Sequence, residues 1–156
     1  DLQQKGETLF EALERKKALA EGKVCVDYSL HPAIMDPRPD VIAEVKKACL
    51  EYGTPSFKIF MVYDFRVDDG TMIKLLEVTK KYGGLVQVHA ENVYIIQHMN
   101  EVLEKEGKLE HYYHAVSRPN IAEEDAVGRA AKMVELTGSR IYIVHQSSKE
   151  GLRKVK

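Results

Sequence analysis

Three residues whose side chains can take part in metal chemistry lie in or directly after predicted strands. Lys58 lies inside the apolar run SFKIFMVY, His89 ends LVQVH, and His145 ends IYIVH. In parallel α/β folds the functional groups collect at the carboxyl ends of the strands. We therefore expect these three side chains to lie close together.

Lys58 needs a physical explanation, because a charged amine is costly in an apolar strand. Burial disfavours the charged form, and a neutral amine is a nucleophile that can add CO₂ to become a carbamate. The two oxygens of a carbamate can be shared by two cations, and imidazoles can fill further ligand positions. Two ordinary alternatives stay open. Lys58 can extend its ammonium group to water, and each histidine can be a hydrogen-bonded loop or core residue.

Strands and helices alternate along the chain. The predicted strands are KVCVDYSL, SFKIFMVY, LVQVHA and RIYIVHQ. Amphipathic segments lie between them, with starts such as Thr8 and Pro39 and stops at Gly22, Gly53 and Gly138. The segment HYYHAVSRPN is predicted to be a loop, and SKEGLRKVK starts a last helix.

The fold class predicted from this order is α/β, with four βα units in one domain over residues 1–156. Nearly continuous apolar strands indicate a parallel sheet covered by helices. A closed (β/α)₈ barrel usually needs about 250 residues, so the chain supplies about half of one. A small doubly wound sheet is the competing architecture, but no glycine-rich phosphate loop follows any strand.

The composition is that of a globular protein that binds neither nucleic acid nor a membrane. The net charge is −1, 44% of the 156 residues are apolar, and the apolar runs are too short to cross a bilayer. Cys25 and Cys49 are predicted to be small core residues, which favours a reducing, cytoplasmic compartment. The chain begins at Asp1 and stops inside a helical pattern, which predicts a piece of a longer protein.

Several stretches together resemble the dihydropyrimidinase/hydantoinase family of cyclic amidohydrolases. They are TPSFKIFMVYDF, VQVHAENVYII, HYYHAVSRP and IYIVHQSS, and the opening QQKGETLFEALERKKALAEGKVCVDYSLH is also similar. The likeness covers nearly the whole chain, in order. It is much more specific than any one of these motifs alone.

The resemblance implies a site with two divalent metal ions, usually zinc, in a (β/α)₈ barrel. Lys58 would be the carbamylated lysine that bridges both metals, and His89 and His145 would bind one of them. Tyr63 would bind the cyclic amide substrate and donate a hydrogen bond to the developing oxyanion. Ring opening would give an N-carbamoyl amino acid. The family also implies a homo-oligomer, a tetramer in its full-length members.

The chain departs from the family pattern in two ways. The other metal should take a His-x-His pair, and no such pair occurs in the sequence. The family's late-strand aspartate would lie beyond Lys156. The resemblance therefore implies the middle of the barrel with one half of the metal site, and an isolated chain that is inactive.

Other polar residues near these motifs are weaker candidates. Glu91 and Asn92 either orient His89 or cap the next helix, and the sequence favours capping. His111 and His114 have helical spacing, but the nearby Pro119 indicates a loop. Tyr28, His31 and His98 are expected to have structural roles, and Asp27 ends the first predicted strand beside Tyr28. The loop after Tyr63 either shapes the substrate pocket or is an ordinary solvated loop; its residues are Asp64, Phe65 and Arg66.

Two alternative functions stay open. One is a non-catalytic, assembly-type relative of dihydropyrimidinase, which would lose metal ligands; retention of Lys58, His89 and His145 argues against it. The other is a cyclic amidohydrolase of the allantoinase or dihydroorotase type. The resemblance at Tyr63 favours dihydropyrimidinase over these two.

Overall fold

The computed structural model describes residues 3–156. In chain order the elements are α1 Leu9–Ala20, α2 Pro39–Leu50, β1 Ser56–Phe60, α3 Asp69–Tyr82, β2 Leu85–His89, α4 Val93–Lys105, α5 Tyr112–Val116, α6 Asn120–Thr137, β3 Ile141–Ile143 and α7 Lys149–Val155.

The three strands form one parallel sheet in the order β1-β2-β3. Alternate residues of the first two strands are fully buried beneath the helices; they are Phe57, Ile59, Val86 and Val88. These residues join side chains of α2, α3 and α6 in the main core. The alternation places the remaining strand residues on the opposite face of the sheet, where Lys58, Gln87 and Tyr142 lie side by side in register.

Side-chain caps fix where α1 and α3 begin. Thr8 accepts a hydrogen bond from the amide of Glu11, whose carboxylate accepts one from the amide of Thr8 in return. Asp68 caps α3 through the amide of Thr71. Gly83 ends the same helix with φ of 77°, a left-handed conformation that favours glycine. The predicted start of the first helix at Thr8 is confirmed.

The first predicted strand is wrong, so the sheet has three strands where four were expected. The segment KVCVDYSL forms no strand; Val26 is 78% exposed, and Cys25 is exposed where a core residue was expected. A single parallel bridge joins Ala33, beyond that segment, to Lys58. The β-branched residues satisfied the local preference for a strand, but a strand also needs a partner along its length.

The predicted loop HYYHAVSRPN contains the short helix α5, which is a second correction. None of the five residues of α5 is buried, so the helix has no apolar stripe that a sequence pattern would show. Cys49, in contrast, is partly buried and packs against the core, as expected. Among residues 3–156, no helix is long and apolar enough to cross a bilayer.

Candidate metal centre

The carboxyl edge of the sheet brings the two predicted histidines together. His89 is the last residue of β2, and His145 lies in the turn after β3 with φ of 38°. Their ring centroids are 4.6 Å apart and the rings are nearly perpendicular, at 74°. Lys58 lies one step back on β1, two residues before Phe60, the residue in register with His89.

The amine of Lys58 is buried and has no hydrogen-bond partner. Its Nζ lies 4.7 Å from the centroid of the Phe60 ring, whose face attracts a cation weakly. Burial lowers the pKa of Lys58 to about 8. An amine that reached solvent would not be buried. The geometry therefore argues against the alternative in which Lys58 extends its ammonium group to water.

The Glu91 carboxylate forms a hydrogen bond with one ring nitrogen of His89. Nε2 of His89 lies 2.5 Å from Oε2 of Glu91, and Nε of Arg118 lies 3.7 Å from Oε1 of the same carboxylate. Burial acts to raise the pKa of Glu91, but the hydrogen bond from His89 and the neighbouring positive charges lower it overall. An ionised Glu91 can only accept, so Nε2 of His89 is the donor in this contact.

The surroundings of His145 lower its pKa and so favour the neutral imidazole. Burial lowers the pKa of His145, and the nearby charges of His89 and Lys58 act in the same direction. The Ser147 hydroxyl donates a 2.9 Å hydrogen bond to the carbonyl oxygen of His145 and closes the turn. A neutral imidazole is the form that binds a metal ion.

Tyr63 lies beside the histidines in a left-handed turn. Its φ is 74°, and Arg66 fixes the turn by donating a 2.9 Å hydrogen bond to the Tyr63 carbonyl. The Tyr63 ring centroid is 5.7 Å from that of His89. A cavity of about 330 Å³ is lined by Tyr63, His89, His145 and Glu91 among others, so it opens onto the same cluster.

The donor set is chemically suited to contribute to a metal site but does not complete one within residues 3–156. No group of three His, Cys, Asp or Glu within residues 3–156 is arranged to hold a metal ion. Two adjacent imidazoles and a buried, unpartnered amine are present, and a carbamate on Lys58 would add two oxygen donors. The buried amine is the observation that ordinary packing leaves unexplained.

The weaker candidates separate into different roles. Asn92 begins α4 as its N-cap residue and accepts hydrogen bonds from two backbone amides, so the capping interpretation is correct for it. His31 contacts Ser56 and Gln87 on the face of the sheet that carries Lys58. His114 lies within hydrogen-bond distance of Arg118, with 3.2 Å between Nδ1 and the guanidinium.

Sequence reasoning missed Arg118 and Glu123, which also line the cavity. Glu123 accepts hydrogen bonds from the amides of Ser147 and Ser148, at 2.9 and 2.5 Å. Both hydrogen bonds join Glu123 to residues that are distant in the sequence, so no local spacing of residues predicts them.

Known proteins with similar sequences are named D-hydantoinase and dihydropyrimidinase. A D-hydantoinase from Geobacillus stearothermophilus is 40% identical over 156 residues, which are 99% of this chain and 33% of that protein. A dihydropyrimidinase from Rattus norvegicus is 34% identical over 154 residues, which are 97% of this chain and 30% of that protein. No family model matches the chain.

The solved structures agree with the sequence comparison. A D-hydantoinase structure superposes with a TM-score of 0.95 at 38% identity, over 99% of this chain and 34% of the other. A dihydropyrimidinase from Brevibacillus agri gives 0.94 at 35% identity, over the same shares. The fold and sequence thus define an α/β protein related to the cyclic amidohydrolases.

The chain is similar to hydantoinases and dihydropyrimidinases over almost its whole length, so the resemblance drawn from its motifs is confirmed. It spans about one third of the length of the curated relatives that it matches.

Proposed function

We propose that these 156 residues are part of a metal-dependent hydrolase that opens the ring amide of dihydropyrimidines or hydantoins to N-carbamoyl amino acids. The observation that carries this proposal is the buried, unpartnered amine of Lys58 behind two adjacent imidazoles. The family relationship supports it over 99% of the chain. The three-stranded sheet and its helices would form part of a (β/α)₈ barrel in a homo-oligomeric enzyme.

In this proposal each side chain has a distinct role. Lys58, as a carbamate, would bridge two metal ions, which we take to be zinc, and His89 and His145 would bind one of them. When bound, the metal ions would activate a water molecule and polarise the ring carbonyl. The water oxygen adds to the carbonyl carbon, the ring C–N bond breaks, and the ring nitrogen leaves with a proton.

Tyr63 would stabilise the transition state. Its hydroxyl would donate a hydrogen bond to the carbonyl oxygen as negative charge develops there. Arg66 holds the left-handed turn at Tyr63, and this turn fixes the backbone position from which the phenol ring extends next to His89. The remaining metal ligands and the general base would come from outside these residues.

The proposal is tested with Lys58→Ala in the full-length protein that contains these residues. We expect hydrolysis of dihydrouracil and hydantoin to be lost and the zinc content to fall, because the bridging ligand is gone. Lys74→Ala, an exposed lysine on α3, is the matched control and should keep both. Unchanged turnover in Lys58→Ala would refute the proposal.

Intact mass spectrometry under gentle conditions provides a separate measurement. The wild-type protein should carry a mass increment equal to one CO₂, and the Lys58→Ala variant should lack it. Activity on allantoin or dihydroorotate with none on dihydropyrimidines would instead assign the chain to the related enzymes.

A further inference from the structure

We infer that the short segment Arg118–Glu123, where α6 begins, positions both histidines of the candidate metal centre. This inference rests on the proposed function, because it concerns the geometry of the metal ligands. The segment lies between the turns that follow β2 and β3, and the Ala122 carbonyl accepts a 2.8 Å hydrogen bond from the amide of Asn92. This one short segment thus contacts the turns that follow both strands.

Glu123 fixes the turn that carries His145. Its two carboxylate oxygens accept separate hydrogen bonds from consecutive amides, those of Ser147 and Ser148. Ser147 in turn donates from its hydroxyl to the His145 carbonyl. The carboxylate therefore holds the two residues that close the left-handed turn at His145, and it sets the direction in which the imidazole projects.

The N-cap of α7 and the attachment of α6 to α7 have sources other than Glu123. Ser148 already caps α7 by accepting a hydrogen bond from the amide of Gly151. Glu124, the next residue, already joins α6 to α7 through a 3.1 Å ion pair with Lys154. Because capping and helix docking have other sources, the bidentate contact of Glu123 is best explained by the turn at His145.

Arg118 acts on the other histidine through Glu91. Its guanidinium lies 3.7 Å from Oε1 of Glu91, and the second oxygen of that carboxylate binds the proton on Nε2 of His89. Arg118 is itself held by hydrogen bonds to the carbonyl of His114 and the hydroxyl of Ser117. Together, Arg118 and Glu91 orient the His89 ring so that its Nδ1 faces away from Glu91.

Arg118 and Glu123 are positioning residues in this scheme, since each acts through another group. Their contacts set the two ring planes whose centroids lie 4.6 Å apart. Partners of this kind typically change metal affinity about 10- to 100-fold when they are mutated. Loss of either should therefore loosen one ligand while the other ligands remain.

The first test compares Glu123→Gln with Glu124→Gln in the full-length protein, using Zn²⁺ alone as the probe in chelator competition. Both variants lose one carboxylate from α6, but only Glu123→Gln places an amide NH₂ against a backbone N–H. We expect zinc affinity to fall about 10- to 100-fold in Glu123→Gln and to stay unchanged in Glu124→Gln. The visible spectrum of the Co²⁺-substituted protein should change in the first variant only.

The second test uses Arg118→Gln, which also covers the case in which Glu123→Gln fails to fold. Nitrogen-15 NMR reports which ring nitrogen of His89 carries the proton. In the metal-free wild type we expect it on Nε2, and in Arg118→Gln we expect a larger share on Nδ1 together with weaker zinc binding. A merely structural role for Arg118 would not move this signal.

The outcomes separate the inference from the proposed function. If the wild type binds zinc and hydrolyses substrate, but both variants keep its zinc affinity, cobalt spectrum and histidine tautomer, the inference is overturned and the function stands. If the wild type neither binds zinc nor hydrolyses a cyclic amide, the proposed function fails and the inference fails with it.

Discussion

At the residue scale, Tyr63 combines a rare backbone conformation with a position beside the histidines. A φ of 74° is uncommon for a residue other than glycine, and it persists here because Arg66 holds the Tyr63 carbonyl. Strain of this kind is found at functional sites, where it aims a side chain. The proposed role of Tyr63, which is to donate a hydrogen bond to the developing oxyanion, would explain why this strained conformation is kept.

Tyr63→Phe tests this role in the full-length protein. The ring and its packing remain and only the hydroxyl is lost, so we expect kcat to fall about 10²- to 10³-fold with zinc content unchanged. Steady-state kinetics and metal analysis provide both measurements. Tyr94→Phe, which removes a hydroxyl from a 69% exposed tyrosine, is the control and should behave as wild type. A Tyr63→Phe variant with normal kcat would exclude the phenol from the reaction.

The residues of the candidate site differ in how far sequence could predict them. The convergence of His89 and His145 followed from a general property of parallel sheets, and the structure places them together. Arg118 and Glu123 could not be found in this way. Each acts on a turn that follows another strand, and the distance between such turns depends on how α6 packs rather than on local spacing.

At the element scale, local signals predicted the longer helices, and local chemistry fixes where several of them begin. Thr8, Asp68 and Asn92 each accept hydrogen bonds from amides of the first turn that would otherwise be unpaired. Strands depend on partners far away in the chain. The apolar run around Val26 therefore looked like a strand but finds no neighbour, and remains exposed.

Asp68→Ala measures how much one of these caps contributes. The variant leaves the Thr71 amide without its acceptor, so we expect a loss of about 1 kcal/mol in the free energy of unfolding. The hydrogen bonds from the Thr71 amide and hydroxyl lower the pKa of Asp68. Its contribution is thus present above about pH 3.9, the usual pKa of an unfolded aspartate, and is lost as the pH falls through the lowered folded value.

Urea denaturation of the full-length protein at neutral and at acidic pH checks both statements. The difference between wild type and Asp68→Ala should shrink towards low pH. Glu77→Gln, which removes an exposed carboxylate from the middle of α3, should show no loss at neutral pH. An Asp68→Ala variant as stable as wild type at neutral pH would mean that the cap contributes nothing.

At the scale of the whole molecule, one face of the sheet lacks the cover that the other has. Helices bury Phe57 and Val88 completely, whereas Tyr142 on the opposite face is 58% exposed. Within residues 3–156, β3 pairs only with β2, so its outer edge has unpaired backbone groups. An uncovered face next to an open strand edge favours association with other chains.

We therefore expect the 156-residue chain, expressed alone, to self-associate and to be inactive. Light scattering coupled to size-exclusion chromatography should show a mass that rises with concentration. Tyr142→Lys should shift the chain towards the monomer, because a charge on the open face opposes its burial in a contact. Tyr112→Lys, at a 74% exposed position on α5, adds the same charge away from the sheet and should change nothing. A chain that stays monomeric at every concentration and hydrolyses dihydropyrimidines would contradict both the association and the need for the rest of the barrel.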